Sequence, residues 1–311
     1  MTTESAPDLP PAIGVVLVNY RSWEKLDRCL ASLKEHGPAG LRYIVVENSP
    51  EDESRLILAA HPEVKALVPG ANLGFAGGCN LGMALALDQG VDFILLLNPD
   101  TIAEHDFITP LVAELKRDPR RAAAGPKILR PGPGEEVWYG GCRMNWWLGG
   151  PSQVRDAGHD GLAVAVPSLS GCAMLLTAQA VRRVGMMDER YFLYYEDSDY
   201  CQRLLRAGFT LIYLPAARLR HEVSSTVGFQ SRDYVYFFSR NRVWFMRRWA
   251  RRHHYLVFML YNTLVKLPGA VLIFGLLRRR PDLMLAYFSG FFAGIASYPP
   301  ALTSTPSRST R

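Results

Sequence analysis

Short apolar runs alternate with segments of helical periodicity through the first third of this 311-residue chain, and this alternation constrains its fold more than any other feature. The apolar runs cover residues 12–18, 41–46, 64–68 and 93–97, and the helical patterns cover residues 23–34, 51–60 and 80–89. Such alternation is typical of a mostly parallel sheet with helices on its faces. The unbroken run Phe-Ile-Leu-Leu-Leu at 93–97 predicts the central strand, because buried parallel strands are apolar on both sides.

The pattern after residue 127 is less regular. A cluster of Pro and Gly at 131–134 precedes a Trp- and Gly-rich stretch at 138–150, which predicts a hairpin or a flap. Residues 170–177 predict a strand, 178–184 a helix, about 198–207 a second helix ended by Gly208, and 210–213 a final strand. Together the two parts predict one α/β catalytic domain over residues 12–229.

Apolar residues make up 49% of the chain, and their surplus is concentrated at 255–277 and 283–298. The formal charge of +6 is compatible with binding to nucleic acid, anionic lipid or an anionic substrate. Its placement favours lipid over nucleic acid, because arginines flank the apolar stretches as they do beside a cytoplasmic leaflet. These arginines are Arg240, Arg242, Arg247, Arg248, Arg251, Arg252 and residues 278–280.

Residues 230–300 therefore predict a helical membrane-association region. Between 234 and 249 the aromatic residues fall largely on one helical face and the arginines on the other, which is typical of an interfacial helix. Packing of the aromatic face onto the catalytic domain is the alternative. Residues 255–277 have the length to cross about 30 Å of hydrocarbon, but Lys266 and Pro268 are unfavourable there, and 283–298 is short for a span. We expect a monotopic or re-entrant anchor.

The cysteines and the amino-terminal residues indicate the compartment. Five cysteines without a CxxC spacing argue against a closed disulfide framework and indicate a reducing compartment. Residues 1–11 are polar and show no apolar segment of a signal peptide, and residues 301–311 are rich in Ser, Thr and Arg. We expect flexible tails at 1–11 and 301–311, and a catalytic domain held peripherally or monotopically on the cytoplasmic face of the membrane.

Asn98-Pro99-Asp100 follows the predicted central strand. Ligands of open α/β sheets bind outside the carboxyl ends of the strands, and a carboxylate there can bind Mg²⁺ or Mn²⁺. The alternative is a turn that only ends the strand and caps the next helix. His221 lies beyond the final predicted strand and would matter as a second protein ligand of the same cation, although a lone histidine is more often structural.

Residues 72–80 (NLGFAGGCN) form a glycine-rich connection between a predicted strand and a predicted helix. Such loops present backbone N–H groups to an anion, although a flexible connector has the same composition. The segment follows the third strand and does not match GxGxxG, so a nucleotide-binding oxidoreductase is disfavoured.

Residues 187–204 place four aromatic side chains before three acids, Glu196, Asp197 and Asp199. Acids in the first turn of a helix also suit its dipole, which is the structural alternative. Apolar neighbours and nearby like charge, however, raise the pKa of a carboxylate. A carboxylate with a raised pKa is suited to act as a general base.

The order of these motifs is more specific than any one of them. Between residues 12 and 225 the chain carries Val18-Asn19-Tyr20, Glu47-Asn48-Ser49, the 72–80 segment, Asn98-Pro99-Asp100, Ser170-Gly171-Cys172, the 195–199 run and His221. In this order they resemble family 2 glycosyltransferases, and within them the bacterial rhamnosyltransferases that act on lipid-linked glycans. The resemblance implies a GT-A fold with a Rossmann-like, mostly parallel sheet, and an inverting, metal-dependent transfer.

The resemblance also implies three groups of site residues. The nucleotide-sugar pocket would be lined by Val18, Tyr20, Glu47, Asn72, Gly74, Phe75, Asn80, Asn98 and Asp100, with Glu47 where the family usually has Asp. The metal ligands would be Asp100 and His221, since Asn98 is neutral. Asp197 matches the catalytic base, and Glu196 and Asp199 look like supporting residues.

We therefore expect an enzyme that moves a sugar, with L-rhamnose from dTDP-L-rhamnose as the favoured donor, to a hydroxyl of a lipid-linked or cell-envelope glycan. Its partners would be that donor, that acceptor and an anionic membrane surface, but no nucleic acid; self-association stays open. The alternatives are other donors (mannose, galactofuranose, glucose or N-acetylglucosamine) and a non-catalytic, membrane-associated nucleotide-sugar-binding protein. The sequence does not choose between Mg²⁺ and Mn²⁺.

Overall fold

The computed structural model describes residues 10–155, 161–222 and 231–297. The chain divides into two compact units, of which unit 1 comprises residues 1–145 and 150–229 and unit 2 comprises residues 146–149 and 230–311. The predicted tail at 301–311 and nearly all of the one at 1–11 lie outside the described residues, as does the predicted boundary between 229 and 230.

The first part of unit 1 confirms the predicted alternation. It contains β1 (Ile13–Asn19), α1 (Trp23–His36), β2 (Arg42–Glu47), α2 (Ser54–Ala60), β3 (Lys65–Leu67), α3 (Gly74–Asp88) and β4 (Phe93–Leu97). Strands β4, β1, β2 and β3 lie side by side in that order and are parallel. All five residues of β4 are buried, and β4 has strands on both sides, so it is a central strand as predicted.

The second part of unit 1 completes the sheet. It contains β5 (Thr101–Ile102), α4 (Ile108–Lys116), β6 (Arg121–Leu129), β7 (Val137–Tyr139), β8 (Cys142–Asn145), β9 (Gly150–Gln153), β10 (Val164–Ala165), β11 (Ala173–Thr177), α5 (Ala178–Val184), a 3₁₀ turn (Glu189–Tyr191), α6 (Glu196–Arg206) and β12 (Thr210–His221). The strand order is β10-β12-β6-β11-β4-β1-β2-β3. Strand β11 is antiparallel to both of its neighbours, whereas β12 is parallel to β6. Strands β8 and β9 form the predicted hairpin.

Helix α3 corrects the prediction for the glycine-rich segment. We expected a loop through residue 80, but the helix already begins at Gly74. Its glycines allow close packing on β1: a Cβ at Gly78 would lie 2.7 Å from a methyl group of Val18, and one at Gly82 would clash with Val16. The glycines therefore mark a helix that approaches a strand closely, and composition alone does not distinguish this from a flexible loop.

Two other elements differ from the predictions. Helix α4 and strand β6 were not predicted; β6 contains Ala122, Ala123, Ala124, Gly125 and Pro126, which favour strands weakly, so its neighbours in the sheet decide its conformation. Strand β12 continues to His221, eight residues past the predicted end. Its pairing with β6 is irregular between Leu214 and Arg218, around Pro215, which cannot donate to a ladder.

Unit 2 contains the predicted helical extension. Its described helices are α7 (Arg232–Trp249), α8 (Arg252–Leu277) and α9 (Pro281–Ala296). Helix α9 packs closely on α7 through glycine, since a Cβ at Gly294 would lie 2.8 Å from the Arg240 carbonyl oxygen. Tyr287 of α9 donates a hydrogen bond to the side-chain oxygen of Asn262 on α8, 3.3 Å away.

Two arginines of α7 contact its aromatic residues, although the prediction placed the arginines largely on the opposite face. The guanidinium carbon of Arg240 lies 4.2 Å from the ring centroid of Trp244 and 4.8 Å from that of Phe237. Arg248 lies over Trp249 at 5.3 Å. Cation–π contacts therefore interleave the two residue types, because a guanidinium is attracted to the negative face of a ring.

Among the described helices, only α8 is long and apolar enough to cross a membrane by length and composition, with 26 residues and a mean hydropathy of 1.7. Its hydrogen bonding shifts to π-helical spacing over Asn262–Lys266 and Val271–Leu277, on both sides of Pro268. Proline removes one donor and crowds the preceding turn, which accounts for the irregularity. Large apolar side chains along α8 are exposed, including Leu264 at 69% and Leu276 at 67%.

Candidate active site

The candidate site lies at the edge of the sheet where the parallel strands end. Strand β11 runs opposite to β4, and its first residue, Ala173, pairs with the last residue of β4, Leu97. The Ser-Gly-Cys segment before β11 is therefore adjacent to the Asn-Pro-Asp segment after β4. The backbone N–H of Asn98 donates to the Cys172 carbonyl oxygen at 2.9 Å, which ties the two segments together.

Asp100 and His221 come together at this edge because β5 pairs with the end of β12. Nε2 of His221 lies 3.0 Å from Oδ1 of Asp100, and both side chains are buried. The ring of Trp138 packs edge-on against the imidazole at 4.6 Å. Nδ1 of His221 is buried and has no hydrogen-bond partner in the described part of the chain, so Nε2 alone fixes the ring by hydrogen bonding.

This pair fits a hard divalent cation whose other ligands come from a diphosphate. Among the described residues there is no group of three or more His, Cys, Asp and Glu side chains that could hold a metal. Two adjacent buried ligands, one carboxylate and one imidazole, are nevertheless enough to bind Mg²⁺ or Mn²⁺ when phosphate oxygens and water fill the remaining coordination positions.

Asp197 lies in the first turn of α6 and is held against the Ser-Gly-Cys segment. Its Oδ2 accepts a hydrogen bond from the Gly171 N–H at 2.9 Å, and its Oδ1 accepts one from the Ser198 N–H at 2.6 Å. A Cβ at Gly171 would lie 3.1 Å from the ring of Phe75 and 3.3 Å from Cβ of Asp197. The absence of a side chain at Gly171 thus allows the carboxylate to approach the backbone.

The Ser-Gly-Cys segment ties the two aspartates to one neighbourhood. The Gly171 N–H donates to Asp197, and the Cys172 carbonyl oxygen accepts from the N–H of Asn98, two residues before Asp100. Burial is the main cause of the raised pKa of the Cys172 thiol, and the charges of both Asp100 and Asp197 raise it further. The structure therefore brings the predicted base and the predicted metal ligands to one side of unit 1.

The environments of Glu196 and Asp197 separate their pKa values. Burial, and then the charge of Asp197, raises the pKa of Glu196 well above its usual range, and its Oε2 is buried without a hydrogen-bond partner among the described residues. Burial also raises the pKa of Asp197, but hydrogen bonds from Gly171 and Ser198 oppose this by stabilising its charged form. The two carboxyl groups thus differ in environment: hydrogen bonds stabilise the charged form of Asp197, whereas Oε2 of Glu196 receives none from the described residues.

Asp199 is fully buried and makes structural contacts. Its Oδ2 lies 3.2 Å from Nε of Arg203, one turn along α6, and its Oδ1 accepts a hydrogen bond from the Tyr191 hydroxyl at 3.4 Å. These contacts join α6 to the turn before it, which agrees with a supporting position.

Glu47, which the resemblance assigns to the nucleotide-sugar pocket, is buried at the end of β2. Its Oε2 accepts from the Asn19 side chain at 2.6 Å, and its Oε1 accepts from the Ser49 N–H at 2.7 Å. Sequence reasoning missed Asn19 as the residue that orients Glu47, although it stands in the Val-Asn-Tyr motif. Tyr20 is half-buried, whereas Val18 is a core residue packed beneath α3.

The N–H groups at the start of α3, which a glycine-rich loop could present to an anion, bond to other parts of the protein. The Gly74 N–H donates to the Asn72 side chain at 2.9 Å, and the Phe75 N–H donates to the Phe192 carbonyl oxygen at 2.7 Å. Asn80, expected to contact the donor, instead bonds to the segment before the acidic run. These groups already have protein partners, so this helix end fastens a loop.

A sequence profile decides the family. The profile of Glycosyl transferase family 2 matches residues 14–175, slightly more than half of the chain. The chain belongs to this family. The match includes the segments at 98–100 and 170–172, and the acidic run and His221 follow it.

Two relatives are named as rhamnosyltransferases. This glycosyltransferase is 29% identical over 246 residues to the N-acetylglucosaminyl-diphospho-decaprenol L-rhamnosyltransferase of Mycobacterium tuberculosis, with 70% of this chain and 78% of that protein covered. It is 24% identical over 215 residues to the dTDP-rhamnosyl transferase RfbF of Shigella flexneri, with 68% and 69% covered. The predicted resemblance to rhamnosyltransferases is thereby confirmed.

A solved structure has the same fold. The crystal structure of GalNAc-T7 with UDP, GalNAc and Mn²⁺ matches with a TM-score of 0.60 and 15% identity, covering 74% of this chain and 48% of that one. The chain thus spans about half the length of that protein. At this identity the similarity concerns the fold, and it confirms the predicted GT-A-like architecture.

The raised pKa of Asp197 generates a prediction for the pH dependence of the glycosyltransferase. A base works only when deprotonated, so turnover should be lost as the pH falls through this raised pKa, above the ordinary value of about 4 for Asp. We expect Ser198→Ala, which removes a hydroxyl that stabilises the charged form, to move this acidic limb to higher pH. The profile of kcat/KM against pH, which reports the free enzyme, measures both. An acidic limb at or below the ordinary Asp value would contradict the assignment.

Proposed function

We propose that this glycosyltransferase is an inverting enzyme that transfers L-rhamnose from dTDP-L-rhamnose to a hydroxyl of a lipid-linked glycan. One observation carries the mechanism: the Asp197 carboxylate and the Asp100–His221 pair lie at one sheet edge, joined through Gly171, Cys172 and Asn98. The rhamnosyltransferases among its relatives support the donor and the acceptor class. Mannose, galactofuranose, glucose and N-acetylglucosamine are the competing donors.

The proposed chemistry is a single displacement. Asp197 takes the proton of the acceptor hydroxyl while that oxygen forms a bond to the anomeric carbon, and the bond from that carbon to the diphosphate oxygen breaks on the opposite face, so the configuration inverts. The hydrogen bonds from Gly171 and Ser198 hold the carboxylate in one orientation. Asp100 and His221 would hold Mg²⁺ or Mn²⁺, which when bound supplies Lewis-acid stabilisation of the departing diphosphate.

A donor screen tests the proposed substrate. We expect dTDP-L-rhamnose with Mg²⁺ to raise the melting temperature of the protein more than uridine or guanosine diphosphate-sugars do, since only a ligand that binds the folded state stabilises it. Transfer of rhamnose to a lipid-linked acceptor should follow in a radiolabel assay. Stabilisation and transfer with a different nucleotide-sugar only would refute the rhamnosyl assignment.

The role of Asp197 is tested by Asp197→Asn. We expect this variant to keep donor binding and to lose turnover by about 10²–10⁴-fold, the usual contribution of a positioned general base. Calorimetry measures the binding and a transfer assay the rate. In the matched variant Asp100→Ala we expect the opposite pattern, in which metal-dependent binding of the donor is the first property to be lost. Near-normal turnover of Asp197→Asn would rule out this base.

We further propose that residues 12–229 are the catalytic domain and that residues 230–300 attach it to the cytoplasmic face of the membrane, peripherally or monotopically. The exposed leucines of α8 supply the apolar contact, with Leu256 at 63%, Leu260 at 59% and Leu264 at 69%. Arginines lie at both ends of this helix, at residues 251–252 and 278–280, and suit anionic lipid.

Vesicle flotation tests the attachment. We expect the protein to float with vesicles that contain anionic lipid and expect Leu260→Glu with Leu264→Glu to abolish flotation, because charge is unfavourable in the apolar layer. The control is Leu58→Glu, at a leucine of α2 that is 43% exposed. The proposal would be disproved if the wild-type protein were monodisperse without detergent and did not bind to the vesicles.

A further inference from the structure

The backbone that leads into α6 is unusual. Phe192, Tyr194 and Tyr195 have φ values of +64°, +69° and +72°, in the left-handed region that side chains with a Cβ rarely adopt. Asp197 follows two residues after this segment. Residues held in such conformations persist only where the surroundings over-determine them.

Helix α3 supplies two sets of contacts that hold this segment. The Phe192 carbonyl oxygen accepts hydrogen bonds from the N–H groups of Phe75 at 2.7 Å and Ala76 at 3.4 Å. This approach requires Gly74, because a Cβ there would overlap both the carbonyl oxygen and the ring of Phe192.

The second set of contacts comes from Asn80, whose side chain is buried. Its Nδ2 donates to the Met187 carbonyl oxygen at 3.0 Å and to Oε1 of Glu189 at 2.8 Å. Its Oδ1 accepts from the Met187 N–H at 2.8 Å. Both donated hydrogen bonds of the Asn80 amide and the one accepted by its oxygen are thus made with residues that precede the left-handed segment.

We propose that Asn80 is a positioning residue that sets the orientation of the catalytic base. Asn80 holds residues 187–189, and the hydrogen bonds to the Phe192 carbonyl oxygen hold the next turn. The left-handed backbone that follows then enters α6 in a single orientation, which presents Asp197 to Gly171. Asn80 acts through the backbone and does not touch the reacting atoms. The proposal rests on the proposed function of Asp197 as the base.

The role differs in its kinetic signature from a contact with the donor. Loss of a donor contact raises the KM for the nucleotide-sugar, whereas misorientation of the base lowers kcat and leaves that KM unchanged. A displacement of about 1 Å in a reacting group can cost about 10²-fold in rate.

The test is Asn80→Asp, which keeps the shape of the side chain but replaces the donating amide by an acceptor. That acceptor would face the Met187 carbonyl and the Glu189 carboxylate, and both contacts would become repulsive. We expect kcat to fall about 10-fold to 100-fold while the donor KM stays within about threefold of wild type.

A second substitution supplies a rescue. In Asn80→Asp with Glu189→Gln, the new amide can donate to the new carboxylate, so we expect kcat to recover about tenfold relative to Asn80→Asp alone. Glu189→Gln by itself is the control and should stay within about twofold of wild type, since its oxygen still accepts from Asn80.

Glu189→Ala tests the proposal if Asn80→Asp does not fold. Glu189 is exposed, so the removal of its side chain creates no internal cavity. We expect a smaller fall in kcat, about threefold to tenfold, again at constant donor KM. A raised donor KM at unchanged kcat, an unchanged kcat in Asn80→Asp, or the absence of rescue would overturn the proposal. Asp197→Asn, assayed in parallel, separates the hypothesis that Asp197 is the base from the hypothesis that Asn80 positions it. Full turnover of Asp197→Asn refutes the assignment of the base. Loss of turnover in Asp197→Asn together with normal turnover of Asn80→Asp refutes only the positioning role.

Discussion

The reversed direction of β11 is the constraint on which the site depends. Strands β4, β1 and β2 are parallel, so their carboxyl ends meet at one edge and their amino ends lie at the opposite edge. Because β11 pairs antiparallel with β4, its amino end returns to that edge. The Gly171 N–H is thereby available to hold Asp197 beside the segment after β4 that contains Asp100.

The parts of the fold that could be predicted are those in which local pattern and buried environment agree. The apolar run at 93–97 became a central strand, and residues 178–184 formed a helix with the predicted bounds. Prediction failed where tertiary contacts decide the conformation. The alanines of β6 form a strand because of their neighbours, and Gly78, expected in a loop, lies in a helix whose glycines let it pack closely on β1.

The candidate site shows the same division. Asp100 and His221 lie 121 positions apart in sequence, and only their order among other motifs suggested a common place, which the pairing of β5 with β12 provides. Asn80 could not be assigned in this way. Its motif suggested a contact with the donor, whereas its partners at 187 and 189 come from a segment that no local signal connects with α3. Asn19 was missed for the same reason, because its contact with Glu47 joins two strands.

In the proposed mechanism the Asp100–His221 pair and Asp197 face one cleft that holds the donor diphosphate. Anomalous diffraction from crystals grown with Mn²⁺ and deoxythymidine diphosphate tests it most directly. We expect a manganese peak within coordination distance of the Asp100 carboxylate and His221 Nε2, with the nucleotide on the same side of the sheet as Asp197. A nucleotide and manganese bound away from that edge, with Asp100 and His221 still bonded to each other, would contradict it.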